Sequence, residues 1–161
     1  MIVADSGPLI AFARMEQLDL LRQVVEALVI PDAVYEELVG RRATRPGAAE
    51  VAHGGWMHRR TAADREAVAE LPRVLHAGER EAMVLAQELQ AQLLIDEQRG
   101  REMATAQGLE VVGILRILAE AKQRGLIPAV RPLVEALLAI GYWLDEERVI
   151  RLFLAEMGEA E

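Results

Sequence analysis

Asp5, Glu37, Glu81 and Asp96 each close an apolar run or border an amphipathic helix, the positions from which acids of distant segments can meet. Carboxylates gathered in one pocket repel one another and take up protons by raising their pKa, unless a divalent cation supplies the missing positive charge. A hard cation such as magnesium or manganese accepts carboxylate and water oxygens, keeps several waters and needs few protein ligands. Two such ions about 3.5–4 Å apart activate a water and stabilise the leaving oxygen of a phosphodiester. Phosphodiester hydrolysis is therefore the chemistry that this set of acids suggests. Taken singly, Asp5 and Asp96 suit helix caps, and Glu37 and Glu81 suit solvated helix charges; the argument rests on the set.

Other chemistries are poorly served. The chain has no cysteine, and His53, His58 and His76 show no His-x-x-x-His spacing, so a thiolate or imidazole metal centre lacks its ligands. Lys122 is the one lysine, which removes a Walker A loop. A receiver-type signalling domain, which also collects acids at strand ends, needs a lysine late in the sheet, and Lys122 falls inside a predicted helix. An aspartyl-nucleophile phosphatase needs a second Asp two residues after the first, where Gly7 stands.

The acids depend on the elements that carry them. Ile2-Val3-Ala4 reads as a strand ending at Asp5, with Ser6-Gly7-Pro8 turning into a helix at Leu9–Ala13. A helix over Gln17–Glu26 leads to a strand at Leu28–Ile30; Pro31 and Gly40 then bracket a helix over Asp32–Val39. Residues 41–65 carry a short strand near Trp56–Arg60. Beyond them lie a helix at Glu79–Leu89, a strand at Leu93–Ile95, a helix at Glu97–Gln107 and a strand at Glu110–Val112. Helices follow at Ile114–Arg124, Ala129–Ile140 and Glu146–Met157. Short apolar strands separated by helices imply an α/β fold with a parallel sheet covered on both faces. Asp5 and Asp96 follow strands, and so face the crevice at the carboxyl edge of such a sheet. At about 100° per residue, Glu37 lies at the border of the core side of its helix while Glu36 points away. In the next helix Glu79 and Glu81 flank the apolar stripe on either side, and geometry leaves both open.

At 161 residues the chain suits one domain over 1–161, with 126–161 as a C-terminal helical extension. The start, MIVADSGPLI, lacks the basic opening and long apolar centre of a secretory signal, and no apolar run is long enough to span a bilayer. The expectation is a cytoplasmic protein with no membrane partner. A net charge of -8 argues against broad attraction to nucleic acid. The local exception is Arg41, Arg42, Arg45, Arg59, Arg60 and Arg65 against Glu50 and Asp64, a cluster suited to flanking phosphates. Leu137, Leu138, Tyr142 and Trp143 offer apolar surface for a homodimer.

Three stretches bring the chain close to a known family: Ile2-Val3-Ala4-Asp5-Ser6-Gly7-Pro8-Leu9-Ile10; Ile30-Pro31-Asp32-Ala33-Val34-Tyr35-Glu36-Glu37-Leu38; and Gly78-Glu79-Arg80-Glu81-Ala82 through Ala86 to Ile95-Asp96-Glu97, Arg99-Gly100-Arg101 and Ala104. In their order and spacing the chain resembles the PIN-domain proteins, which include many toxin ribonucleases, and in particular a little-characterised prokaryotic branch. The resemblance implies a three-layer α/β/α sandwich with a mainly parallel sheet and extra C-terminal helices. It implies a magnesium- or manganese-dependent endoribonuclease acting on RNA, with a small antitoxin protein as a partner. The family's four acids fall on Asp5, Glu37, Glu81 and Asp96, with Glu81 chosen over Glu79 because Ala86 follows it by five residues. Ser6, Glu79 and Glu97 stand in reserve. Two positions depart from the pattern: Ile95, where many members carry threonine or serine, and Arg116, where a small residue is usual. The competing expectation is a module that keeps the fold and the acids, binds RNA or a protein, and cuts poorly.

Overall fold

The computed structural model describes residues 1–40, 46–142, 144 and 147–160. Five strands, β1 (Ile2–Ala4), β2 (Leu28–Pro31), β3 (Met57–Arg60), β4 (Gln92–Leu94) and β5 (Val111–Val112), form one sheet in the order β3-β2-β1-β4-β5. Every pairing is parallel. A parallel sheet needs crossovers that cover both faces, and the side chains divide accordingly. Ile2, Ala4, Leu28, Ile30, Met57, Leu94 and Val112 enter one core; Val3, Val29, Leu93 and Ile95 enter the other. This two-residue alternation within runs that are apolar throughout marks strands buried on both sides.

Helices α1 (Ser6–Arg14), α2 (Leu18–Val25), α8 (Ile114–Gln123), α9 (Arg131–Ala139) and α10 (Glu147–Glu156) add Phe12, Leu21, Leu118, Val134 and Leu154 to the first core. On the other face α5 (Arg65–Glu70), α6 (Ala77–Leu89) and α7 (Gln98–Ala106) add Val68, Leu85 and Ala104. The result is the three-layer α/β/α sandwich with a parallel sheet and additional C-terminal helices. No helix among the described residues is long and apolar enough to cross a membrane.

Local differences from the sequence reading have plain causes. Ser6-Gly7-Pro8 is the first turn of α1 itself, because proline is tolerated where backbone N–H groups have no intrahelical acceptor. The helix after β2 is α-helical only over α3 (Asp32–Tyr35) and widens into a π-helical turn at Glu36–Gly40. Helices α4 (Ala48–His53) and α5 were not anticipated; each has under two turns, too short for a helical period to show.

The chain reverses its winding between β1 and β4. After β1 it proceeds outward to β2 and β3, then returns to place β4 on the opposite side of β1. The crevice beyond the carboxyl ends of these two strands is the topological switch point at which such sheets bind ligands. Asp5 N–H donates to Leu94 O at 3.0 Å, which fixes the first residue of that crevice against the neighbouring strand.

The C-terminal helices are tied to this body by the one lysine. Lys122 Nζ, on α8, donates to Met157 O at 2.5 Å and to Glu159 Oε2 at 2.7 Å. The same carboxylate accepts from the N–H groups of Val130 and Arg131 at the start of α9, at 2.9 and 3.0 Å. Partial burial would push the Glu159 carboxyl up, but Lys122 and these N–H groups outweigh it and hold it down to about 2. A carboxyl whose pKa is depressed on folding stabilises above its unfolded pKa and loses that contribution as the pH falls through the folded value. Glu159→Gln is expected to lower the melting temperature by several degrees near neutral pH. The deficit should shrink between about pH 4.5 and 2, as read by thermal unfolding across the acid range.

Candidate functional site

Asp5 is the N-cap of α1 and only 7% exposed. Burial, the largest cause, raises its carboxyl from the ordinary 3.8 to about 7; the backbone N–H groups of Ser6 and Gly7 oppose the rise, and the charges of Glu79 and Glu37 add to it. A shift of three units corresponds to about 4 kcal/mol against the ionised form.

Glu37 reaches Asp5 from the π-helical turn, an arrangement that recurs at functional sites. Its neighbour Glu36 turns away to Arg59 at 2.8 Å, while Ser6 Oγ donates to Glu37 Oε1 at 3.2 Å. A Cβ placed on Gly78 would lie 3.4 Å from Glu37 Oε2 and 3.8 Å from Asp5 Oδ1. Both carboxylates therefore converge on the start of α6, where a glycine leaves them room. From that same turn comes Glu79, 6% exposed, whose Oε2 accepts from His76 N–H at 3.1 Å. Burial raises its pKa, the N–H and imidazole of His76 oppose the rise, and Glu97 and Glu37 add to it.

Asp96 closes the opposite wall. Its Oδ2 accepts from Ile114 N–H at 3.0 Å, at the amino end of α8 where the helix dipole favours an anion, and from Tyr142 Oη–H at 2.7 Å. Oδ1 lies 3.7 Å from Arg101 Nη1. A Cβ on Gly113 would stand 2.3 Å from that Oδ1, so glycine is required for the carboxylate to sit there. Asp5 and Asp96 line one cavity of about 300 Å³ with Glu97, Arg99 and Tyr142. Glu97 is in part a cap, accepting from Gly100 N–H at 2.7 Å.

Glu81, the acid that the resemblance favours over Glu79, has other partners. It is 2% exposed, but its Oε1 accepts from Asp32 N–H at 3.1 Å and Ala62 N–H at 3.4 Å, and its Oε2 pairs with Arg65 at 3.2 Å. The cause is helical: residues two apart on α6 point about 200° apart around its axis, so Glu79 and Glu81 cannot face one pocket. Glu81 joins α6 to the ends of β2 and β3, and Glu79 takes the place beside Asp5.

The arginine cluster is also redistributed. Arg41, Arg42 and Arg45 lie outside the described residues. Arg59 is held by Asp32 and Glu36 and stacks 4.0 Å from the centre of the Tyr35 ring; Arg60 is exposed at the end of β3. Of the surface proposed for a dimer, Leu137 lies in the core and Leu138 is exposed, while Trp143 lies outside the described residues.

Tyr142 is the site residue that sequence reasoning missed, having been counted as apolar surface. It reaches Asp96 because α9 ends in a Schellman turn: Gly141 has φ +76°, Gly141 N–H bonds Leu138 O, and Tyr142 N–H bonds Leu137 O. Burial first, then Asp96 and Asp5, push its hydroxyl well above the usual phenol range, so it is a lasting donor. Gly141 just past a helix, followed by a half-apolar Tyr that needs a partner when buried, was the available signal.

The donor set suits a hard divalent cation held by one or two carboxylates with water completing its shell. Asp5 supplies a buried carboxyl that has no partner cation among the described residues, and Glu37, Glu79 and Asp96 present oxygens around it. As they stand, no three His, Asp or Glu side chains among the described residues converge on one point, so part of the set would act through water.

A family model described as PIN domain matches residues 1–159. Among solved structures, the fold is similar to that of a PilT N-terminus domain protein from the hyperthermophilic archaeon Sulfolobus solfataricus P2. The TM-score is 0.57 and the identity 17%, covering 75% of this chain and 93% of that one; at that identity the likeness speaks for the fold alone. No curated protein matches the chain in sequence.

Two outcomes follow from this geometry. The unfolded Asp5 carboxyl ionises near pH 4 while the folded one keeps its proton to about pH 7, so metal-free stability falls across that window. In EDTA above pH 7, Asp5→Asn should melt higher than wild type by roughly 5 °C or more, and added magnesium should raise the melting temperature of wild type alone. A variant that melts lower would make the carboxylate a structural group. Second, Glu81→Ala should cost about 1–3 kcal/mol by leaving the N–H groups of Asp32 and Ala62 without their carboxylate acceptor, yet keep the magnesium-induced rise, whereas Glu79→Gln should lose most of that rise; the reverse pattern would make Glu81 the ligand.

Proposed function

The chain belongs to the PIN-domain family, whose members are generally nucleases that use divalent metal ions, and from that premise we propose that it is a metal-dependent endoribonuclease. The observation that carries the reading is the shared cavity of Asp5 and Asp96 at the carboxyl ends of adjacent central strands, with Asp5 buried beside Glu79 and Glu37. Asp5, Glu37, Glu79 and Asp96 would hold magnesium or manganese directly or through water. Such an ion, when bound, supplies an activated water and charge neutralisation at the phosphodiester.

The remaining roles belong to this chain's own groups. Ser6 Oγ orients Glu37 by its 3.2 Å hydrogen bond. Tyr142 and the Ile114 N–H occupy Oδ2 of Asp96, which fixes the orientation of a carboxylate that would help to hold the ion, with Arg101 beside Oδ1. Arg99, on the wall of the same cavity, is placed to meet a phosphate oxygen. Asp5 is buried, so its charge, when ionised, would be weakly screened by bulk water. The setting this proposal carries over from the family resemblance is cytoplasmic, as the toxin half of a pair with a small protein antitoxin.

A second reading, a module that binds RNA or protein without efficient cleavage, is favoured by the lack of three converging ligand side chains among the described residues. One assay separates the two. The purified chain should cut single-stranded RNA in magnesium, EDTA should abolish cutting, and Asp5→Asn should lower it more than about a hundredfold, beyond the usual effect of losing a supporting group. Tyr142→Phe should raise the magnesium concentration needed for half-maximal cutting by about tenfold. Magnesium binding by calorimetry with no cleavage across a broad RNA panel would instead establish the binding module, and cutting that survives EDTA would exclude both metal roles.

A further inference from the structure

A second cavity, larger than the one that Asp5 lines, adjoins the site. It lies on the far side of Asp96, with a volume of about 470 Å³, and is walled by Arg101, Arg116, Val111, Leu115, Leu144 and Val149. That volume falls within the range of roughly 300–1,000 Å³ typical of small-ligand pockets. We propose that this cavity is a subsite for the nucleotide next to the scissile phosphate, its base packed on the aliphatic wall and its phosphate met by Arg116 and Arg101. The inference rests on the ribonuclease reading and gives it a direction of substrate binding.

Three observations carry it. The first is continuity: Asp96 borders both cavities, so a chain whose phosphate lies at Asp96 has a neighbouring nucleotide within reach of this one. Charge is the second. In a chain of net charge -8, this cavity is lined by two guanidiniums against one carboxylate, that of Asp96, and guanidinium is the side chain best matched to a phosphate's paired oxygens. Arg101 is anchored by donating to Ile95 O at 2.8 Å, which presents it at a set height. Among the described residues Arg116 pairs with Glu110, at 3.5 Å, and both side chains are more than half exposed. A pair of that kind contributes little, so Arg116 can turn to a phosphate at small cost. Third, Val111, Leu115, Leu144 and Val149 give the rest of the wall an aliphatic surface, with Val149 41% exposed, on which the face of any base can pack. The subsite therefore favours a nucleotide in single-stranded RNA without selecting its base. It also gives Arg116, which departs from the family pattern, a task.

The test compares wild type, Arg116→Ala and Val149→Trp on two substrates in magnesium: a single-stranded oligoribonucleotide, and bis(para-nitrophenyl) phosphate, which has no flanking nucleotide. Each variant should raise KM for RNA roughly tenfold with kcat nearly unchanged, and leave hydrolysis of the small diester as in wild type. Arg116→Ala should also flatten the slope of log KM for RNA against log salt by about 0.7, the loss of one phosphate contact on a single strand. An unchanged KM for RNA in both variants, or equal losses on both substrates, overturns the subsite and leaves the ribonuclease reading standing. If wild type cuts no RNA, the ribonuclease reading fails and the subsite falls with it.

Discussion

A carboxyl group is forced into low dielectric at the centre of this molecule, and much of the arrangement around it follows. The backbone of Asp5 has no freedom: its N–H completes the ladder to β4, and the residue begins α1. Its side chain must then occupy the crevice, where burial and two neighbouring acids keep it protonated to about pH 7 in the absence of a cation. Such a site works against the stability of the fold that holds it, the usual relation between binding sites and stability. What compensates is the flanking structure, a central strand buried on both faces and bordered on each side by another.

The acids around that centre divide their tasks according to the element that carries them. Glu79 and Glu37 stand where a helix start and a π-helical turn meet, with Gly78 keeping the space between them open. Glu81, more deeply buried, is occupied in satisfying backbone N–H groups at the ends of two strands. Burial of an acid is thus no guide to function here; the identity of its partners is. Asp96 has two neutral donors on one oxygen, which fixes its orientation while leaving the charge in place.

The C-terminal helices belong to this account. Lys122 and Glu159 hold them to the body, and the turn after α9 sends Tyr142 back to Asp96. The C-terminal segment therefore supplies a hydrogen bond to one of the central acids, together with Leu144 and Val149 on the wall of the larger cavity. The guanidiniums follow the same geography. Arg59 is engaged by Asp32, Glu36 and Tyr35, whereas Arg99, Arg101 and Arg116 line the cavities on either side of Asp96.

The layered fold was legible in the chain because its signals are local. Apolar runs such as Ile2-Val3-Ala4 and Leu93-Leu94-Ile95, broken by glycine, proline and amphipathic stretches, specify strands and crossovers without reference to anything distant. Position after a strand likewise placed Asp5 and Asp96 at one edge of the sheet. Short helices such as Ala48–His53 escaped because they contain too few residues for a period to register. The choice between Glu79 and Glu81, the engagement of Arg59 and the part played by Tyr142 depended on which groups arrive from elsewhere in space. A carboxylate's task is set by the donors and charges it meets, and those come from segments tens of residues away that only the folded chain brings together.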